Sequence, residues 1–230
     1  WKGKAVFGPV KIAPSILSAD FMNMERDVEL ITEGGAGYVH VDVMDGHFVP
    51  LFGFNQPQVR QLTDWNRACG DVHLMAELTQ TMLEECLKLP LQKLTLHVEA
   101  AQPEQLAEYL QQIEAKGIEP GLAIAPDTEA DKLLPFLTYI KEILVMSCAP
   151  GTEGAVFRET TFEKIRDIRR MLNEKKPECG IAVDGGLNEE RAVHCIESGA
   201  NRVIIGRAFF ASEDRKGMVE RVRKTSVGNL

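Results

Sequence analysis

Residues 39–50 read V-H-V-D-V-M-D-G-H-F-V-P. His40, Asp42 and Met44 fall on one side of an extended segment and Val39, Val41 and Val43 on the other, the period of two that marks a β-strand. In a half-exposed sheet the His and Asp would face water. Whether this strand has a wet side depends on what surrounds it.

The surroundings follow from the pattern along the chain. Runs rich in β-formers at 10–15, 38–43, 71–75, 93–98, 120–125, 142–147, 180–184 and 202–206 alternate with helical patterns near 21–33, 56–66, 80–89, 103–116, 129–138, 161–175, 188–198 and 214–224. Eight strand–helix units predict an α/β chain of the (β/α)8 or TIM-barrel type. Gly34-Gly35, Gly117 and Gly199 close helical stretches where a left-handed residue is wanted, and Asn188 is placed to cap the helix after the seventh strand. A doubly wound sheet would share the alternation, but its G-x-G-x-x-G fingerprint is absent. No linker or low-complexity tract divides the sequence, which is read as one barrel domain over 1–230.

Composition narrows the function. The 230 residues are 44% hydrophobic and 26% charged, enough apolar material for a substantial core. A net charge of -8 with no basic stripe argues against nucleic acid. No apolar run is long enough to span a membrane, so no membrane partner is expected. The chain opens Trp1-Lys2-Gly3-Lys4 without Met, as a trimmed chain would, and without a signal peptide's apolar region. Five scattered cysteines (Cys69, Cys86, Cys148, Cys179, Cys195) with no Cys-x-x-Cys pair fit reduced thiols in a cytoplasmic protein.

A barrel strand has no wet face: one side packs on helices and the other points into the barrel. The valines suit the helix side. His40 and Asp42 then point inward or crown the C-terminal rim, where sites of this fold lie, and unpaired burial would cost several kcal/mol. Partners are therefore expected at other strand ends. His73 in D-V-H-L-M and Asp184 in I-A-V-D-G-G complete a set of two imidazoles and two carboxylates, suited to Zn, Fe, Mn or Co more than to Ca or Mg. Each His alone is more often structural; four such groups at strand ends favour a metal site.

A-P-S-I-L-S-A-D-F (13–21), residues 39–50, D-V-H-L-M (71–75), L-H-V-E (96–99) and V-D-G-G (183–186) together resemble the ribulose-phosphate 3-epimerase family over about 11–210. The family is a barrel of the ribulose-phosphate-binding type in the pentose-phosphate pathway. The resemblance implies an isomerase that inverts C3 of D-ribulose 5-phosphate to give D-xylulose 5-phosphate. It implies one divalent metal ion per subunit held by His40, Asp42, His73 and Asp184, with Asp42 and Asp184 as the acid/base pair on opposite faces of C3 and a metal-stabilised cis-enediolate between them. It also implies substrate contacts from Ser15, His73, Met44, Met75 and Met146, and a homo-oligomer, either dimer or hexamer. His97 and Glu99 repeat the His-x-acid pattern on the fourth strand; the family pattern does not make them ligands, so they are read as supporting or structural. Gly185-Gly186 after the seventh strand and Gly206 after the eighth sit where barrels cradle a phosphate, and Gly151, Gly154 and Arg207 are further substrate-binding candidates.

Three departures from the family pattern surround the substrate rather than the ligands. After Pro50 the family's N-[IL]-T-F-G-P is replaced by Leu51-Phe52-Gly53-Phe54-Asn55-Gln56-Pro57. The sixth loop, P-G-F-G-G-Q-x-F in the family, is Pro150-Gly151-Thr152-Glu153-Gly154-Ala155-Val156-Phe157, and the family's G-S is Gly206-Arg207. Glu153 would oppose a phosphate if it pointed inward, and Arg207 would favour one. The sequence therefore predicts retained proton transfer at C3 with altered recognition. D-ribulose 5-phosphate leads as substrate; D-allulose 6-phosphate, another phosphorylated ketose, or a non-catalytic sugar-phosphate-binding barrel are the alternatives. A metal-free decarboxylase of the orotidine-phosphate type is set aside because no D-x-K-x-x-D array is present.

Overall fold

The structure, a computed structural model, describes residues 9–228. The opening at residues 1–4 and the outer ends of the 1–230 domain reading lie outside the described residues.

Eight parallel strands make the inner wall: β1 (Lys11–Ala13), β2 (His40–Met44), β3 (Asp71–Met75), β4 (Lys93–His97), β5 (Glu119–Ile124), β6 (Glu142–Met146), β7 (Gly180–Asp184) and β8 (Arg202–Ile204). Their ladder runs β1-β8-β7-β6-β5-β4-β3-β2, a nearly closed barrel. The remaining seam, between β1 and β2, holds a single parallel bridge of Ser15 with His40, in which the His40 N–H donates to the Pro14 carbonyl at 2.9 Å. Above that bridge the segment after Pro50 folds back on β2: Gly53 N–H donates to Met44 O at 3.2 Å and Phe54 N–H to Asp42 O at 2.9 Å. Only a glycine allows this approach, since a Cβ on Gly53 would collide with the Asp42 carbonyl oxygen.

The outer layer contains α1 (Met24–Glu33), α2 (Gln56–Trp65), α3 (Gln80–Cys86), α4 (Pro103–Ala115), α5 (Thr161–Lys175), α6 (Glu189–Glu197), α7 (Arg207–Ala211) and α8 (Arg215–Arg223). Asn188 caps α6 as its side chain accepts from Arg191 N–H at 2.8 Å. The expected helix near 129–138 is instead a 3-10 stretch, Ala130–Phe136, with Pro135 inside it, a residue without the N–H that an α-helix needs there. The expected helix near 21–33 is a 3-10 turn, Phe21–Asn23, leading into α1. The short α7 falls in a stretch whose sequence pattern marks only a connection.

Alternation sorts the core into two. Outward residues such as Val41, Val43, Val72, Leu74, Leu94, Leu96, Ile143 and Val183 join the main apolar layer under the helices. Inward residues Ala13, Ala123, Leu144, Met146, Ala182 and Ile204 form a separate cluster inside the barrel. Five strand residues at the opposite end from the site-bearing loops are charged and paired, four of them buried. Arg202 joins the Asp71 carboxylate and, at 2.8 Å, Glu142; Lys93 meets Glu142 and Glu119, each at 2.7 Å. Each of these five residues opens its own strand.

Removing one partner of a buried pair strands the others. Arg202→Ala should therefore lower stability by about 3–5 kcal/mol, read from urea unfolding. An unchanged midpoint would show that the floor network contributes nothing net.

Candidate metal and active site

The wall of β2 sets the site. His40, Asp42 and Met44 all face inward as the period of two requires, and His40 and Asp42 are 1% and 3% exposed. β3 brings His73, fully buried, directly beside Asp42 in the parallel register. Asp184 ends β7, on the other side of the β1–β2 seam. Ligand atoms of His40, Asp42, His73 and Asp184 all lie within 4.8 Å of one another.

Hydrogen bonds orient each group. His40 Nδ1 meets Asp71 Oδ2 at 2.8 Å, and its Nε2 lies 3.5 Å from Asp42 Oδ1. His73 Nδ1 is 3.2 Å from Asp42 Oδ1 and 4.0 Å from Asp184 Oδ2. The second oxygen of Asp42 accepts from Ser15 Oγ at 2.6 Å. Ser147 Oγ donates to the backbone carbonyl of Asp184 at 2.8 Å and to that of Gly185, holding the turn that carries the carboxylate.

Electrostatics separate the two carboxylates. Burial would raise Asp42, but the imidazoles of His40 and His73 outweigh it and hold its carboxyl well below the usual range. Burial, reinforced by the charge of Asp42, pushes Asp184 up. Two carboxylates whose surroundings drive them apart are the arrangement expected of one base and one acid.

The donor set fits a divalent cation. His40 Nδ1 gives its proton to Asp71, leaving Nε2 buried, aimed at carboxylates and without a hydrogen-bond partner. A cation among Nε2, Nδ1 of His73 and the two carboxylates would satisfy that nitrogen and displace protons as it bound. With a cation bound, the site would take the form of a carboxylate–histidine–metal arrangement, with Asp71 behind His40.

Above the cluster opens a cavity of about 330 Å³. Ser15, Asp42, Met44, Met75, Met146, Gly151, Asp184, Gly185, Gly186, Gly206 and Arg207 line it. His40 and His73 lie beneath its floor, so His73 is placed to hold a cation rather than to touch what fills the cavity. Gly154 and Glu153 are exposed on the sixth loop and are not among the lining residues. Glu153 and Arg207 form no ion pair with each other among the described residues. Arg207 is exposed at the rim.

Sequence reasoning missed several contributors. Asp71 stands in the D-V-H-L-M motif two residues before His73, and that spacing alone marks it as inward-facing. Ser147 and Cys148 carry no such signal, and Cys148 lines the cavity; Leu51 and Thr152, which mark departures from the family pattern, line it too. Asp45 is a further contributor. Its Oδ1 accepts from His47 and Phe48 N–H, both at 2.9 Å, and its Oδ2 from Glu77 N–H at 2.8 Å, so it ties the loop after β2 to that after β3.

Comparison with known proteins agrees with this geometry. A profile of the Ribulose-phosphate 3 epimerase family matches residues 11–210. Ribulose-phosphate 3-epimerase of Bacillus subtilis is 35% identical over 93% of this chain and 98% of its own length. The Helicobacter pylori enzyme of that name is 33% identical over 92% and 95%, and the cytoplasmic isoform of Oryza sativa 32% identical over 98% of each. Among solved structures, 3-keto-L-gulonate-6-phosphate decarboxylase from Vibrio cholerae superposes with a TM-score of 0.69 at 11% identity, covering 95% of this chain and 99% of that one. The 3-hexulose-6-phosphate synthase from Salmonella typhimurium gives 0.64 at 11%, covering 95% and 98%. At these identities the shared feature is the barrel alone.

A cation that binds only the folded cluster must stabilise the fold. Saturating Co2+ or Zn2+ at about 100 times its Kd should add about 2.7 kcal/mol, read as a rise in Tm, and His40→Ala should abolish the rise. Equal shifts in both proteins would place the ion elsewhere.

Proposed function

The chain belongs to the ribulose-phosphate 3-epimerase family, and from that membership we infer that it is an isomerase epimerising a ketose phosphate at C3, with D-ribulose 5-phosphate and D-xylulose 5-phosphate as the two partners. The observation that carries the reading is the pair of buried carboxylates, Asp42 and Asp184, whose surroundings favour opposite protonation states beside two imidazoles.

Inversion next to a ketone needs a base on one face of C3 and an acid on the other. Asp42, the more acidic of the two, takes the C3 proton; Asp184, whose burial raises its affinity for a proton, delivers one to the opposite face, and the roles reverse in the return direction. Ser15 steadies Asp42 through Oδ2, while Oδ1 faces the two imidazoles. His40, Asp42, His73 and Asp184 would hold one divalent ion, which supplies Lewis-acid polarisation of the substrate's oxygens when bound. The methionines Met44, Met75 and Met146 give the cavity an adaptable apolar wall against the carbon chain and limit water around the reacting carbon.

At the rim, Arg207 offers a guanidinium to the substrate phosphate, with Gly185, Gly186 and Gly206 leaving room for close approach of the backbone. A side chain at Gly185 would meet Cys148 Sγ at 2.5 Å, and one at Gly206 would meet Ser18 Oγ at the same distance. The departures from the family pattern touch the cavity at Leu51, Thr152 and Arg207, which keeps D-allulose 6-phosphate in the substrate panel. The unit is proposed to be one barrel domain working in the cytoplasm, consistent with five buried, unpaired cysteines. Association into a dimer or hexamer is supported by the exposed apolar side chains Leu17, Phe21, Met22, Phe52 and Trp65. Among the described residues no helix is long and apolar enough to cross a membrane.

The test is exchange of the C3 proton with solvent deuterium, run on metal-loaded protein with D-ribulose 5-phosphate and D-allulose 6-phosphate. The expected result is exchange and epimerisation of the pentulose phosphate, a loss of at least about 100-fold in Asp184→Asn, and a raised KM with kcat nearly kept in Arg207→Ala. Faster turnover of the hexulose phosphate would reassign the substrate, and tight binding without exchange of either would leave a binding protein.

A further inference from the structure

The His-x-acid pair on and just beyond β4, His97 and Glu99, lies outside the four-residue cluster yet touches it. His97 is fully buried, and its Nε2 lies 2.8 Å from His73 Nε2. The ring centroids are 5.0 Å apart and the ring planes are inclined by only 22°. On the far side, His97 Nδ1 lies 3.1 Å from Glu99 Oε2. The other oxygen, Glu99 Oε1, accepts from Ala125 N–H at 2.8 Å, which anchors the carboxylate to the end of β5.

With both imidazoles neutral and a cation in place of a proton between His73 and Asp42, one arrangement of protons satisfies the row. Two facing imidazole nitrogens share a single proton. Glu99 presents acceptors, so His97 must donate from Nδ1. Its Nε2 then carries a lone pair and accepts from His73, which places the His73 proton on Nε2. The lone pair of His73 is left on Nδ1, the nitrogen that faces Asp42 and Asp184 at 3.2 and 4.0 Å.

We infer that Glu99, acting through His97, is a positioning residue for the metal centre: it fixes the His73 proton on Nε2 and keeps Nδ1 open to the cation. This rests on reading the cluster as a metal centre. The two imidazole ligands are thereby served differently, His40 by Asp71 directly and His73 by a carboxylate one imidazole further away.

The relay sets an unusual order for two substitutions. Glutamine is nearly the same shape as glutamate, so a merely structural role would make Glu99→Gln milder than Glu99→Ala. In the relay it is harsher. If the introduced amide keeps its oxygen on Ala125 N–H, its NH2 group faces His97 Nδ1 and favours the reversed tautomer, with a proton on the His73 nitrogen that should bind metal. If the amide flips, two donors face each other at Ala125. Alanine admits water, which can donate or accept.

The experiment is Co2+ affinity by competition with a fluorescent chelator, together with 15N spectra of the histidine rings and the Tm of each metal-free protein. Glu99→Gln should bind Co2+ about 10–100-fold more weakly than the unaltered chain, and more weakly than Glu99→Ala, with metal-free Tm values alike. In the unaltered protein loaded with Zn2+, His97 should carry its proton on Nδ1 and His73 on Nε2, a readout that needs no variant to fold. Unchanged Co2+ affinity in Glu99→Gln, a larger loss in Glu99→Ala, or a His97 proton on Nε2 would overturn the relay. Absence of Co2+ binding by the unaltered chain would overturn the metal reading itself, and is distinguished from the other outcomes by that fact.

Discussion

A strand walled by helices on one side and by other strands' side chains on the other cannot leave a polar group to water. Everything distinctive in this molecule follows from how the inward polar groups are satisfied. At the floor the pairing is between opposite charges: Arg202 and Lys93 bridge Asp71, Glu142 and Glu119. Toward the loops the balance is different. His40, His73, Asp42 and Asp184 present mostly acceptors to one another, and His40 Nε2 finds no partner. A group of acceptors facing inward in low dielectric asks for a cation, and unequal surroundings, imidazoles beside Asp42 and burial near the Asp42 charge for Asp184, give the two carboxylates unlike affinities for protons.

The floor and the site are mechanically one object. Asp71 Oδ2 takes both the guanidinium of Arg202 and Nδ1 of His40, so the charge network beneath the barrel also orients a ligand above it. The loops are joined in a similar way: Asp45 ties the connection after β2 to that after β3, and Leu51 N–H reaches the Gly151 carbonyl at 3.2 Å. The altered segment after Pro50 folds onto β2 beside the β1–β2 seam through Gly53 and Phe54 while sending Leu51 to the cavity. It can therefore diverge in sequence and reshape recognition without disturbing the four polar groups at the centre.

How much of this was legible depended on range. Val-His-Val-Asp-Val-Met carries its own periodicity, so β2 and its inward residues could be read locally, and the repeated strand–helix units gave the barrel. Strand ends alone brought His73 and Asp184 into consideration. The pairing of Arg202 with Asp71 spans 131 positions and leaves no local trace, since an Arg opening a strand looks like a solvated charge. Ser147 was invisible because its partners are backbone carbonyls across the β6–β7 edge, which any sequence provides. The helical pattern after β5 misleads because the apolar spacing of Leu133, Phe136 and Leu137 is helical while Pro135 denies the backbone bond.

The central claim is that one divalent ion joins His40, Asp42, His73 and Asp184, with His73 binding through Nδ1. Anomalous diffraction from crystals of the Co2+-loaded protein tests it most directly. One strong peak is expected within about 2.0–2.2 Å of His40 Nε2, His73 Nδ1 and an oxygen of each carboxylate. A peak bound through His73 Nε2 or at His97, or no peak among these residues in the loaded protein, would contradict it.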